Sequence, residues 1–449
     1  MLEMNDTKSA WRFIREVTFT TAKGPKVCMD LSVLNEAFAS TVTSNSSSAP
    51  MLVTRCDNKD DFHFRQVSIG EIQRFLEHLK ERTATGPDGL PAFLLKRLAE
   101  AVAPNITRIV NDSLTQNIVP SSWKKANIAP VWKNKGSKTD ASNYRPISVL
   151  PVLARMLEKI CARQLSKFCD EKDLIPPQQF GFRPKSSCEH ALISATGAWM
   201  EEIDDGCLVG ALLVDLSKAF DTVPHQLLLL ELEQIGCSTD TIQWFHSYLT
   251  GREQRVVMLS ETTDWRQVMR GFPQGSGLSP LLFNVYVRKL PAVTCVRTFQ
   301  FADDITNSAA QKNPKILEQQ LLHSFNQTKS FCDEHQLVIN PSKSQLIVFH
   351  ARGKKLPPDF VLEVDGCKIT PAHSVKLLGV TLDRYLTFGE HIDNVVKKCR
   401  AWPDWCISKG SSVSYKAASQ TRLYLINKKS HGVLQRDICI SCSLTVTEA

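Results

Sequence analysis

Three aspartates are the residues of this chain best suited to chemistry. Asp215 closes the apolar run from Leu208 to Val214, while Asp303 and Asp304 stand side by side after Phe301 and Ala302. A carboxylate at the end of a buried strand is expensive to leave without a cation or fixed donors. Two adjacent acids at a turn repel each other unless something positive lies between them. If that turn comes beside the strand end, the three carboxylates make a hard, oxygen-lined site of the kind Mg²⁺ takes, with substrate phosphates completing it. Ions so held serve phosphoryl transfer by activating an attacking hydroxyl and neutralising a leaving group. The same residues also have a plainer reading, because Asp-Asp is common at exposed turns and a strand-end Asp often caps a helix.

The elements that must position these groups can be read from periodicity and breakers. Residues 208–214, after Gly206, read as a short buried strand. Residues 298–306 read as a hairpin whose tip is Ala302-Asp303-Asp304, and 255–259 with 265–269 as another. Ser68 and Glu71 form a capping box ahead of Ile69, Ile72, Phe75, Leu76 and Leu79, which predicts a helix ending before Gly86-Pro87-Asp88-Gly89. Further helices are predicted over 92–102, stopping before Pro104, and over 150–168, 188–203, 225–235 and 239–249. The pattern is α+β with no internal repeat. Residues 1–66, with a polar stretch at 44–48, read as a linker with some helix at 31–38.

Bulk properties bound the answer. A chain of 449 residues, 43% hydrophobic and 22% charged, predicts a globular protein of two or three subdomains. The net charge is +8, and residues 351–449 alone carry 15 Lys/Arg against 9 Asp/Glu, which suits a polyanionic partner. Between 123 and 145, Lys124, Lys125, Lys133, Lys135, Lys138 and Arg145 interleave with Trp123 and Trp132, as on a surface that meets phosphates and stacks on bases. A solvated lysine-rich loop with its tryptophans packed inward fits that composition equally. The 14 cysteines are scattered, and the CxxC of Cys439 and Cys442, taken with Cys399, Cys406 and His431, matches no zinc module, so free thiols are expected. The N-terminus lacks the basic start and apolar core of a signal peptide, and the longest apolar run is far below the roughly 20 residues that span a bilayer. The expectation is a soluble, intracellular protein with no membrane partner.

Seven blocks then occur in order: NYRPISVLPVLARMLEKI (143–160), QFGFRPKSSCEHAL (179–192), VDLSKAFDTVPHQLLL (214–229), GFPQGSGLSPLLFNVYV (271–287), FADD (301–304), NPSKSQLIVF (340–349) and KLLGVTLD (376–383). Together they resemble the reverse-transcriptase domain of animal non-LTR retrotransposons of the jockey and CR1 type. The resemblance implies a right-hand polymerase with fingers, palm and partial thumb around an antiparallel palm sheet, using Mg²⁺ or Mn²⁺ to extend a DNA primer on an RNA template with deoxynucleoside triphosphates. It implies metal ligation by Asp215, Asp303 and Asp304, aided by the backbone carbonyl of Leu216. Phe220 would be the steric gate against a 2′-hydroxyl, and Arg145, Gln274, Gly275 and Lys343 would meet the nucleotide, Lys343 as proton donor to the leaving pyrophosphate. Arg183 would touch the template, and Leu377, Leu378 and Gly379 would form the primer-grip hairpin. A nuclear site of action also follows from the resemblance.

The implied division is a linker-like segment at 1–66, a reverse-transcriptase domain at 67–350, primer grip and start of thumb at 351–400, and a divergent tail at 401–449. The family's upstream endonuclease is expected to be absent. Phe272 stands where the family usually has Val, Ser279 where it has Gly, and Val-Arg-Lys-Leu-Pro at 287–291 where it has Ile-Asn-Asp-Leu-Pro. These departures and the divergent tail leave room for two other readings: a remnant that binds nucleic acid without catalysis, and an interaction scaffold.

Overall fold

The computed structural model describes residues 29–39, 61–258, 261–354 and 356–400, and 424–430 and 433–439 as backbone. The central sheet has the strand order Pro371–Ala372, Gln345–Phe349, Leu208–Val214, Asp304–Gln311, Arg297–Phe301. All its pairings are antiparallel except that of Pro371–Ala372 with Gln345–Phe349. Leu208–Val214 lies in the middle, and its unbroken apolar sequence follows from cover on both faces. Leu208, Leu212 and Val214 join the core that includes Leu317 and Leu321 of the helix Pro314–Glu334. The alternate residues Val209 and Ala211 join Trp199 of the helix Cys188–Asp204, and Trp199 stacks on Phe349 at 4.9 Å. This alternation is the period of two that a strand imposes. A Cβ at Gly210 would lie 2.5 Å from Leu321 Cδ1, so the leucine packs directly over the glycine.

A second sheet joins Tyr144–Val149, Lys125–Trp132, Arg252–Met258 and Glu261–Thr262, with Arg266–Val268 also pairing Arg252–Met258. Lys125 to Ile128 run parallel to Glu253 to Val256, and the remaining pairs are antiparallel. The helix expected at 31–38 forms as Leu31–Ala39 and is docked: Leu34 is buried, and Asn35 Nδ2 donates to Thr263 Oγ1 at 2.9 Å and Asp264 O at 3.0 Å. The polar stretch at 44–48 lies outside the described residues.

Helices Ile69–Glu77, Ala99–Gln116, Val152–Glu171, His225–Gln234 and Thr239–Leu249 share one core with the central sheet. The Ser68–Glu71 capping box forms with both reciprocal bonds. The stop expected before Pro104 does not occur. The chain breaks at Leu98 instead, between Ala92–Arg97 and Ala99–Gln116, and Pro104 lies inside the second helix. Its missing N–H leaves only the carbonyl of exposed Glu100 without an intrahelical donor, close to the helix start where solvent can serve it.

The basic segment 123–145 is a strand, Lys125–Trp132, followed by a loop and a second strand. Trp123 is buried, and Trp132 is half-buried with Lys138 Nζ 4.9 Å above its ring. Trp123 thus packs inward, while in the loop Lys135 and Lys138 are exposed and Lys133 is half-buried. Every cysteine whose side chain is described is a free thiol. The CxxC of Cys439 and Cys442, with Cys399, Cys406 and His431, falls outside the described side chains. Among the described residues no helix is long and apolar enough to cross a membrane.

Candidate active site

Register brings the three aspartates to one end of the central sheet. Val214 pairs with Ile305, so the next residue along, Asp215, falls opposite Asp304. Phe301 pairs with Asp304 across the two-residue turn Ala302-Asp303, which sets Asp303 at the tip beside them. Ala302 has φ +59, a left-handed conformation that costs a non-glycine residue about 1 kcal/mol.

On the other edge of the central strand the turn before Gln345–Phe349 is laced to Asp215. Asn340 N–H donates to Asp215 O at 2.8 Å, Ser217 N–H to Val338 O at 2.7 Å, and Asp215 N–H to Ser344 Oγ at 3.3 Å. Leu216 bridges Ile339 between those bonds. Its own carbonyl therefore points to the opposite edge, toward the Ala302-Asp303 turn. The same turn carries exposed Lys343, whose charge opposes the burial that raises the Asp215 pKa. Burial comes first in that rise, and Asp303 adds to it.

Asp304 keeps an exposed side chain, yet the protein crowded around it desolvates the carboxyl. That desolvation, followed by the charges of Asp303 and Asp215, raises its pKa to about 6. Among the described residues no three His, Cys, Asp or Glu side chains close into a ready-made metal cage. The donor set is all oxygen, Asp303 and Asp304 from the neighbouring hairpin and Asp215 with the Leu216 carbonyl from the central strand, and Mg²⁺ takes few protein oxygens. By donor chemistry the residues fit such an ion.

A basic rim faces them. Lys133 has its pKa lowered, first by burial and then by Arg145, Lys343, Lys135 and Lys218, so five cations crowd one region. Lys133 and Lys135 also act on Asp215. Nζ of Lys133 donates to Ser142 O at 2.7 Å.

Phe220 is half-buried, stacked on Phe283 at 4.5 Å and edge-on to Phe182 at 6.3 Å, so its ring direction is fixed. Gln274 holds the next residue: its Nε2 donates to Asp221 Oδ1 at 2.8 Å and Oδ2 at 3.0 Å. Asp221 is otherwise shifted upward, by burial first. The loop carrying Gln274 is pinned by Ser148 N–H to Gln274 O at 2.8 Å and Phe272 N–H to Phe220 O at 2.9 Å. Gly271, at φ +70, lets its backbone lie where a Cβ would come 2.6 Å from Asp221. Gly275 is exposed at φ +115.

The departures have physical accounts. Phe272 is buried in the main core, and Ser279 Oγ reaches Pro273 O at 3.4 Å, closing the loop on itself. Arg288 and Lys289 both pair with Glu231. Arg183 Nη1 donates to Pro176 O at 2.9 Å. Ser374–Leu377 and Val380–Asp383 form a hairpin around Leu378 and Gly379, at φ +47 and +89, as a type I′ turn requires. Among site residues, sequence reasoning missed Asp221 and Gln179. Asp221 lies beside Phe220 in Ala-Phe-Asp, a signal that could have been followed; Gln179 opens the block at 179–192, from which only Arg183 was taken.

Residues 133–382 match the family model described as reverse transcriptase (RNA-dependent DNA polymerase). The match covers more than half of the chain, and the chain belongs to that family. Among its relatives in Drosophila melanogaster are the probable RNA-directed DNA polymerase from transposon BS, 26% identical over 84% of this chain and 41% of that protein. Another is the RNA-directed DNA polymerase from mobile element jockey, 27% identical over 78% of this chain and 39% of that protein. The probable RNA-directed DNA polymerase from transposon X-element is 27% identical over 77% and 38%. The chain thus spans about two fifths of the length of these relatives.

Proposed function

We propose that this chain is the polymerase part of a non-LTR retrotransposon: it extends a DNA 3′-hydroxyl on an RNA template with deoxynucleoside triphosphates. The observation that carries the reading is the convergence of Asp215, Asp303 and Asp304 at one sheet end, opposite a rim of Lys133, Lys135, Arg145, Lys218 and Lys343. In this reading the central sheet is the palm, and the sheet built on Lys125–Trp132 belongs to the fingers. The Leu378-Gly379 hairpin grips the primer, with Arg183 on the template side, and Gly389–Arg400 begins the thumb. The domain then runs from 67 to 350, with primer grip and thumb at 351–400.

Asp215, Asp303, Asp304 and the Leu216 carbonyl hold Mg²⁺ or Mn²⁺, which when bound lowers the pKa of the primer hydroxyl and neutralises the leaving pyrophosphate. The chain's own residues do the rest by position and charge. Arg145, the only fork-shaped donor in the rim, takes the triphosphate oxygens in pairs, while the lysines act as point charges. Phe220, locked between Phe182 and Phe283, presents its ring to the sugar and leaves no room for a 2′-hydroxyl. Gln274 and Gly275 line the nucleotide, and Lys343 delivers a proton to the pyrophosphate oxygen.

The test is primer extension by the purified protein on an RNA template with Mg²⁺. Extension with dNTPs, weakened template binding at higher salt, and little use of rNTPs are expected. Phe220→Val should cut the dNTP over rNTP preference about 10- to 100-fold in kcat/KM. A folded protein that extends nothing contradicts the reading.

A further inference from the structure

Resting on that reading, we propose that Gln179 is a positioning residue for the metal-binding turn: its buried amide holds the strained Ala302 and so aims Asp303. Gln179 is 1% exposed, in the loop that precedes the helix Cys188–Asp204. Its Oε1 accepts from Ala302 N–H at 2.9 Å and from Gly181 N–H at 2.9 Å, and its Nε2 donates to Ala302 O at 3.3 Å. The amide orientation is set by chemistry, since two backbone N–H groups can only meet an oxygen. Both backbone polar groups of Ala302 are thus held by one side chain.

The surroundings fix Gln179 in turn. Its backbone bridges Gln300 in the strand that leads to the turn. Phe180 N–H donates to Gln300 O at 2.8 Å, and Gln300 N–H to Gln178 O at 2.8 Å. Gly181 lies so close that a Cβ there would be 2.3 Å from Ala302 N. Buried Asn284 Nδ2 donates to Gly181 O at 2.8 Å from the far side. The loop at 178–181 therefore acts as a mould for the turn. Ala302 has no glycine's freedom at φ +59, and without the amide two buried N–H groups would lose their acceptor. The turn would relax, and Asp303, next in the chain, would move with it.

The role asks for an acceptor of the right length. A glutamate at 179, kept protonated by its burial, accepts the same two N–H bonds and donates its O–H to Ala302 O, whereas methionine fills the space without making any of the three. The experiment measures Mn²⁺ binding to the nucleotide-free protein by electron paramagnetic resonance, with thermal melting beside it. The proteins are wild type, Gln179→Met, Gln179→Glu, Asp303→Asn and Thr196→Val. Thr196→Val removes a buried bond to Leu192 O within the helix Cys188–Asp204 and serves as a control for a lost buried hydrogen bond outside the turn.

The expected result is Mn²⁺ binding that depends on Asp303, weakened about tenfold in Gln179→Met, largely restored in Gln179→Glu and unchanged in Thr196→Val. In extension assays the Mg²⁺ activation midpoint should rise in Gln179→Met while the KM for dNTP holds. Should Gln179→Met not fold, Gln179→Glu decides: near wild-type Mn²⁺ affinity in it supports the proposal, and a loss as large as that of Asp303→Asn overturns it. Wild-type affinity in a folded Gln179→Met, or equal loss in Thr196→Val, overturns the positioning role alone. Wild-type binding that ignores Asp303→Asn overturns the metal-site reading and this proposal with it.

Discussion

Two regions among the described residues treat acidic charge in opposite ways. Around Glu231 every negative charge is answered: Lys289 Nζ lies 3.0 Å from Oε1, Arg288 pairs with Oε2, and His335 Nε2 is 3.6 Å from Oε1. Burial pushes the Glu231 pKa up, but the close approach of His335, the bond from Lys289 and the charges of Arg288 and Lys289 outweigh it and hold the group at about 2. At the sheet end Asp215, Asp303 and Asp304 stand together with no such partners in hydrogen-bonding contact among the described residues, and Asp304 rises to about 6. A fold can neutralise a buried acid completely, as it does with Glu231. Among the described residues three acids at one strand end are only distantly countered, and this supports the proposal that a ligand's positive charge is held there.

The largest effect expected from this contrast is on stability. Glu231→Gln strands the nearly buried Arg288 and should cost about 3–5 kcal/mol by denaturant unfolding, because removing one partner leaves an uncompensated charge. Asp303→Asn should instead leave the metal-free protein as stable or slightly more so, by under about 1 kcal/mol, since it relieves like-charge repulsion. Equal losses in the two variants would erase the distinction.

The pH responses should also have opposite signs. The folded pKa of Asp304 lies above its ordinary value of 3.8, so its folded form binds the proton more readily, and its effect destabilises as pH rises from 3.8 through about 6. Glu231 lies below its ordinary 4.5, so its stabilisation is complete above 4.5 and is lost as pH falls toward about 2. Metal-free protein should therefore lose a little Tm between pH 5 and 7 from Asp304. Mg²⁺ should raise Tm more at pH 7 than at pH 5, and this difference should vanish in Asp303→Asn. A Mg²⁺ response independent of pH would separate Asp304 from the site.

The two clusters also show what a sequence can say. Leu208–Val214 was legible to the residue, because its apolar run, the glycine before it and the aspartate after it are all local signals. The helix Thr239–Leu249 and the Ser68–Glu71 cap were legible for the same reason. The Glu231 cluster was not, since its partners are 57 and 58 residues away and the charges at 288 and 289 looked only like departures from a family pattern. Gln179 acts on Ala302 across 123 residues, and Gln274 on Asp221 across 53. Pro104 misled because the cost of a proline depends on whether the carbonyl four residues earlier can reach solvent, which only packing decides.

The central claim is that Asp215, Asp303 and Asp304 form the catalytic centre of a polymerase rather than a destabilising turn. The direct measurement is primer extension on an RNA template with dNTPs and Mg²⁺ by the wild type, Asp303→Asn and Asp215→Asn, with melting curves taken on the same preparations. The account predicts extension by the wild type and a loss of about 10³-fold or more in both variants, with Tm held or raised. Undiminished extension in Asp303→Asn, or no extension by a folded wild type, would contradict it.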